Sequence, residues 1–159
     1  MEKKVFGYPK YDDNGEMILT TYENEYRDML MDIRVYKLEK NQTKIFTSDD
    51  EEIAALLLNG KIEINVDGIE KVVSRKSVFL EGPYAGHVSH SKIISVKALE
   101  ETEILVQKTK NKVTFNSKLY TPEDAPWKYS SQGWYGNVAN RRVNTIIDHD
   151  IEPKSNMVL

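Results

Sequence analysis

Glu51-Glu52-Ile53-Ala54-Ala55-Leu56-Leu57-Leu58-Asn59-Gly60-Lys61-Ile62-Glu63-Ile64-Asn65-Val66-Asp67-Gly68 is the stretch on which the fold turns. Ile53 to Leu58 is an unbroken apolar run, long enough for a strand buried on both faces and too short for a typical helix. Asn59-Gly60 then predicts a turn. Lys61 to Val66 alternates, with Ile62, Ile64 and Val66 on one face and Lys61, Glu63 and Asn65 on the other. The pair Asp67-Gly68 tolerates the positive φ angles of a tight hairpin, so Ile69 to Val73 is expected to return antiparallel. Upstream, Thr43 to Asp50 contain no histidine.

The same periodicity extends in both directions. From Met29 to Val35 the apolar residues Met29, Met31, Ile33 and Val35 share one phase and Asp32 and Arg34 the other, which predicts a half-buried strand. Ser77 to Leu80, Gly86 to His90, Lys92 to Leu99 and Thr102 to Lys108 also read as extended, with breaks at Gly82-Pro83 and Glu100-Glu101. Leu99 to Glu103 has helical propensity, but Ile104 and Val106 resume period two and the segment is read as a turn. Strands at this spacing predict an all-β barrel or sandwich.

Composition narrows the function classes. A chain of 159 residues is one domain, large enough to bury a core without staples. A net charge of -3 offers nothing to track phosphates, so nucleic acid is not an expected partner. Without cysteine there is no disulfide, thiolate nucleophile or cysteine zinc site. The start Met1-Glu2-Lys3-Lys4 lacks the apolar core of a signal peptide, and no apolar run approaches a membrane helix. The expectation is a cytoplasmic protein without membrane partners.

After Lys110 the pattern changes. Residues 111–140 hold Pro122, Pro126, Gly133 and Gly136 among Trp127, Tyr129, Trp134 and Tyr135, and are read as an irregular, aromatic-rich connector packed over the barrel. Arg142 to Ile147 predicts another strand. Residues 141–159 stop on Met157-Val158-Leu159 as if entering one more strand, which predicts a missing continuation or a partner surface.

Two resemblances follow. Glu51 to Gly68 resembles the glutamate, strand, turn and strand of a cupin motif from which the preceding His-x-His pair is missing. Ser74-Arg75-Lys76-Ser77-Val78-Phe79, the turn Pro83-Tyr84-Ala85 and above all Gly136 to Ile147 resemble the first half of bacterial 5-deoxy-glucuronate isomerases of myo-inositol catabolism, relatives of the 4-deoxy-5-ketouronate isomerases. The family pattern Gly-x-Gly-Asn-x-x-x-Arg-x-Val-x-x-Ile is met by Gly136, Asn137, Arg141 or Arg142, Val143 and Ile146, while Asn144-Thr145 stands where the family often has His-Asn. The resemblance covers about Ile45 to Leu159. It implies an all-β, cupin-like double-stranded β-helix (jelly-roll) barrel that is the metal-free half of a bicupin. The divalent metal, on three histidines and a glutamate, would belong to a second barrel absent from this chain, which would be inactive alone.

The candidate groups are few. His87 stands where a cupin's last ligand would fall, but residues three apart on a strand point to opposite faces, so His87 and His90 cannot both look inward. His87 is retained as a weak metal candidate against a surface or hydrogen-bonded histidine. Glu51 and Glu52 occupy the place of the cupin glutamate and are read as solvated. Arg75 and Tyr84 are candidates to meet a sugar acid by bidentate pairing and a hydroxyl contact, against a rim arginine satisfying a surface acid. His149 among Asp148, Asp150 and Glu152 reads as a solvated acidic loop, and Arg141 and Arg142 as junction residues. The loop aromatics are read as packing rather than as a sugar platform.

Two function classes remain. One is the isomerase reading, an aldose to ketose rearrangement in which this chain is scaffold to a catalytic partner barrel. The other is a free-standing binding or dimerisation domain for a small acid or sugar. The expected partners are a second cupin barrel or another copy of the chain, with no cofactor of its own.

Overall fold

A computed structural model describes residues 8–159. The Met1 to Lys4 start lies outside the described residues. In chain order the strands are β1 (Glu16–Thr20), β2 (Met31–Leu38), β3 (Thr43–Thr47), β4 (Glu51–Val66), β5 (Ile69–Arg75), β6 (Ala85–Val88), β7 (Ile93–Ala98), β8 (Thr102–Lys110), β9 (Lys118–Tyr120), β10 (Lys128–Ser130) and β11 (Arg141–Val143). The fold is all-β, as expected.

The first nine strands form two antiparallel leaves, β1-β2-β8-β4-β6-β9 and β5-β4-β7-β3, that face each other as a cupin-like jelly roll without closing into a continuous barrel. The long β4 belongs to both. Its first half pairs with β8 and β6, and its second half with β5 and β7.

That sharing corrects the expected turn at Asn59-Gly60. The strand runs through, kinked by a bulge where register shifts between Leu57 and Asn59. Gly60 sits at φ +103, and a Cβ there would approach the Glu101 carbonyl to 2.7 Å, so the bend needs glycine for both conformation and space. The turn at Asp67 (φ 51) and Gly68 (φ 95) is the predicted two-residue hairpin, pairing Val66 with Ile69.

The space between the leaves is filled by Ile53, Ala55, Leu57, Ile62, Ile64, Val66, Val88, Ile94, Val96, Ile104 and Val106, joined by Tyr36, Leu38 and Phe46. Tyr36 and Phe46 rings lie 5.4 Å apart across the leaves. A second apolar cluster lies on the opposite, outer face of β4 and β6. Ala54 and Ala85 there are covered by Tyr120, Ala125, Ile146, Ile147 and Met157.

Three further strand expectations change. β2 begins at Met31, because Arg27–Met29 form a 3-10 turn ending at Leu30 with φ 56. Its phase is also the reverse of the expected one: Tyr36 and Leu38 face the interior, while Val35 lies on the other side. Both faces of this leaf are covered, so apolar periodicity could not tell them apart. Ser77 to Leu80 is a turn, not a strand: the Ser77 carbonyl accepts from the Leu80 and Glu81 N–H groups and its hydroxyl from Phe79 N–H. The strand expected over Arg142–Ile147 is only Arg141–Val143, paired with β10; Ile146 and Ile147 instead pair with Leu159. Of the closing apolar residues, Met157 is buried and only Val158 is exposed.

Candidate functional site

His87 and Glu52 are brought together, but on the outer face of the jelly roll. His87 pairs across the ladder with Ala54, which belongs to the outer cluster, while its neighbours Gly86 and Val88 face inward. Glu52 shares the phase of Ala54. Its Oε2 lies 3.3 Å from His87 Nε2, and its Oε1 accepts the Asn156 N–H at 2.6 Å. Both side chains are sealed, Glu52 at 0% and His87 at 1% exposure, and the imidazole packs 4.6 Å from the Phe115 ring. This corrects the solvated reading of Glu52, since a buried carboxylate needs donors and here finds an imidazole and a backbone amide.

The pair does not fit a metal. Among the described residues no three His, Asp or Glu side chains converge as ligands, and Glu52 already carries the amide that holds the C-terminal segment. His87 is the hydrogen-bonded histidine of its alternative reading.

Arg75 and Tyr84 meet at Leu57. Arg75 Nη1 donates to the Leu57 carbonyl at 2.8 Å and Nη2 to the Glu81 carbonyl at 3.1 Å, while Leu57 N–H donates to the Tyr84 carbonyl at 3.0 Å. Arg75 is buried, so it is not a rim arginine, and burial pulls its guanidinium below the usual arginine range. Its Nε is buried without a partner. One arm is spent on the Leu57 carbonyl at the β4 bulge and the other on the Glu81 carbonyl between β5 and β6, which makes Arg75 a brace between that kink and the loop.

Sequence reading missed a charged rim on the inward phase at one end of the interior. Asp32 and Arg34 share the inward phase of Tyr36 and Leu38 on β2, Lys108 and Lys110 that of Ile104 and Val106 on β8, and Glu51 that of Ile53 on β4. Arg34 grips Asp32 through two 2.7 Å bonds and reaches Glu16 at 2.5 Å, and Asp32 then Glu16 drive it further toward its charged form. Lys110 pairs with Asp50 at 2.8 Å. Burial first and the Glu51 carboxylate second push the Tyr22 hydroxyl up. Lys108 has no ion pair among the described residues. The Asp32/Arg34 alternation was visible in the sequence; the side it faces was not.

The remaining candidates stand apart. His90 contacts Ser91 and Thr114 hydroxyls at 3.2 and 3.4 Å. His149 is exposed beside a turn in which Asp148 accepts the Ile151 N–H. Arg142 stacks 4.5 Å over Trp127 and donates to the Phe79 carbonyl. Tyr129, Trp134 and Tyr135 do not pack down as expected of a covering connector but face outward. Clefts of about 410 and 460 Å³ open on the surface, the first by Pro9, Ile18 and Leu19, the second beside the charged rim, by Tyr22, Met31, Lys110 and Asn156. Among the described residues no helix is long and apolar enough to cross a membrane.

Comparison with known proteins agrees with this architecture. The chain is 28% identical over 141 residues to a 5-deoxy-glucuronate isomerase of Geobacillus kaustophilus, a match covering 85% of this chain and 48% of that protein. It therefore spans about half the length of the curated relative it matches. Among solved structures, an IolB-like protein from Salmonella typhimurium superposes with a TM-score of 0.67 at 17% identity, covering 76% of this chain and 45% of the other. The E. coli protein Ylba gives a TM-score of 0.57 at 11% identity, with 76% and 50% covered. Residues 7–159 match the model of the KduI/IolB family, and the chain belongs to that family.

Proposed function

We propose that this chain is the metal-free, non-catalytic half of a 5-deoxy-glucuronate isomerase-like protein, acting in the cytoplasm in bacterial inositol catabolism. An aldose to ketose rearrangement needs a base to move a proton between neighbouring carbons and a group to polarise the carbonyl. The observation that carries the reading is the interior itself. Where a cupin would place ligands, Ile53, Ile62, Ile64, Val88, Ile94 and Val106 pack against one another, and the His87/Glu52 pair lies outside that space, tied to Asn156. The role left for this half is scaffold and interface.

The test is turnover and metal content of the purified 159-residue chain. With 5-deoxy-glucuronate and added zinc, manganese or iron, no isomerisation is expected, and elemental analysis should find far less than one metal per chain. Turnover by the chain alone, or stoichiometric metal lost on His87→Ala, sinks the reading.

A second reading rests on the rim. Lys108, half-buried and without an ion pair among the described residues, marks a place where a small acid would bind a free-standing domain. Calorimetry with glucuronate distinguishes it: saturable heat abolished by Lys108→Ala favours the binding-domain reading.

A further inference from the structure

We propose that the ribbon β10–β11 and the adjoining Ser77–Leu80 turn form the docking face for a second domain, the one corresponding to the half of the Geobacillus kaustophilus isomerase that this chain does not match. The proposal rests on the reading of the chain as one half of an isomerase-like protein. It names the surface through which the halves meet.

Among the described residues nothing covers the ribbon. All six residues of β10 and β11 are exposed, and a lone two-stranded ribbon is marginal in water. Around it Tyr129, Phe79, Leu80, Trp134, Tyr135 and Val138 are 60% to 85% exposed. Arg142, on β11, donates to the Phe79 carbonyl and stacks on Trp127, which ties the Ser77–Leu80 turn to the ribbon, and Trp134, Tyr135 and Val138 lie on the loop that joins its two strands. Contiguous aromatic surface rimmed by arginine is the composition of an interface core.

Two observations choose the occupant. From Ala125 to Ile147 the chain carries Lys128, Arg141 and Arg142 and no acid, although its net charge is -3, so the fitting surface is apolar with an acidic rim. The matched relative also has about half of its length beyond the aligned part, a domain-sized body that must pack somewhere. The outer face of β4 and β6 is already taken by Met157, Ile146 and Ile147, and the interior is full. Ile18, Met29 and Leu30 are also exposed, but beside the acidic Glu25, so among the described residues the ribbon is the bare apolar surface whose only charges are basic.

The test mixes the purified chain with that other half of the Geobacillus kaustophilus protein, first verified as folded by circular dichroism and a cooperative thermal transition, and follows tryptophan fluorescence and sedimentation. The chain alone should sediment as a monomer and form a one-to-one complex that shifts the tryptophan emission. Trp134→Ser with Tyr135→Ser should weaken the complex at least ~10-fold while the thermal midpoint of the isolated chain stays put. No complex, or one of equal affinity in the double variant, overturns the proposal. So does a chain that dimerises alone through the same two residues, since the occupant is then a second copy, and so does saturable binding of an oligouronate lost in the double variant without any complex. Isomerase turnover in the same mixture is read separately. A complex without turnover sinks the functional reading and leaves the docking face; turnover indifferent to the double variant sinks the docking face alone.

Discussion

The two faces of β4 carry opposite chemistries one residue apart. Inward, Ile53, Ala55 and Leu57 belong to the apolar core that both leaves fill. Outward, Glu52 and Ala54 meet His87, Ala85 and the C-terminal segment, with a carboxylate and an imidazole sealed against a backbone amide. Glu52 and His87 turn away from the interior and clasp a covering segment. The inner face is a packed core of non-directional contacts, and the outer face is a specific polar latch.

The comparison breaks first, if it breaks, at the interior. Ile64→Ala should cost about 2–5 kcal/mol in urea unfolding, because rigid leaves on both sides cannot collapse into the space. A loss below about 1 kcal/mol would mean a loose interior, with room for a ligand. Glu52→Ala should cost less, about 1–3 kcal/mol, by stranding buried donors. Its signature is local: amide exchange at Asn156 and Met157 should rise by more than at Ile64 or Val96. Uniform exchange would show that the latch is not specific to the cover.

Alkaline titration sharpens the outer face further. Burial, ahead of nearby carboxylates, pushes the Tyr120 hydroxyl from 10.0 to about 12. The folded state therefore holds that proton longer than the unfolded chain. The contribution of Tyr120 to stability is whole below pH 10 and is lost as pH rises through about 12. Tyr120→Phe should flatten that part of the pH–stability curve, whereas the shift of Tyr11, also to about 12, stays. The smallest effect is expected on the ribbon, where Trp134→Ser with Tyr135→Ser should change the stability of the isolated chain by no more than about 0.5 kcal/mol.

Particular residues show how far the sequence could be read. Asp67-Gly68 was legible because its hairpin is local chemistry, needing only two residues that accept positive φ. The face shared by Ile62, Ile64 and Val66 was legible because period two survives wherever one side is polar. Asn59-Gly60 was misread because the same pair suits a reversal and a bulge, and only the leaf pairing on either side of it decides which. Ser77 to Leu80 looked like a strand because Val78 and Phe79 are good strand formers, yet no partner strand adjoins them. Glu52 looked solvated because its donors stand 35 and 104 residues away in the chain.

By itself, the sequence of this protein determined an all-β chain, its central hairpin and its resemblance to half of an isomerase family, since these rest on local periodicity and short motifs. Only the tertiary structure decided which way β2 and β4 turn their charged residues, that His87 and Glu52 meet, and that the aromatic ribbon stands uncovered. The reason is that a strand has two faces of equal local standing. Which of them is inside depends on what the rest of the chain lays over it.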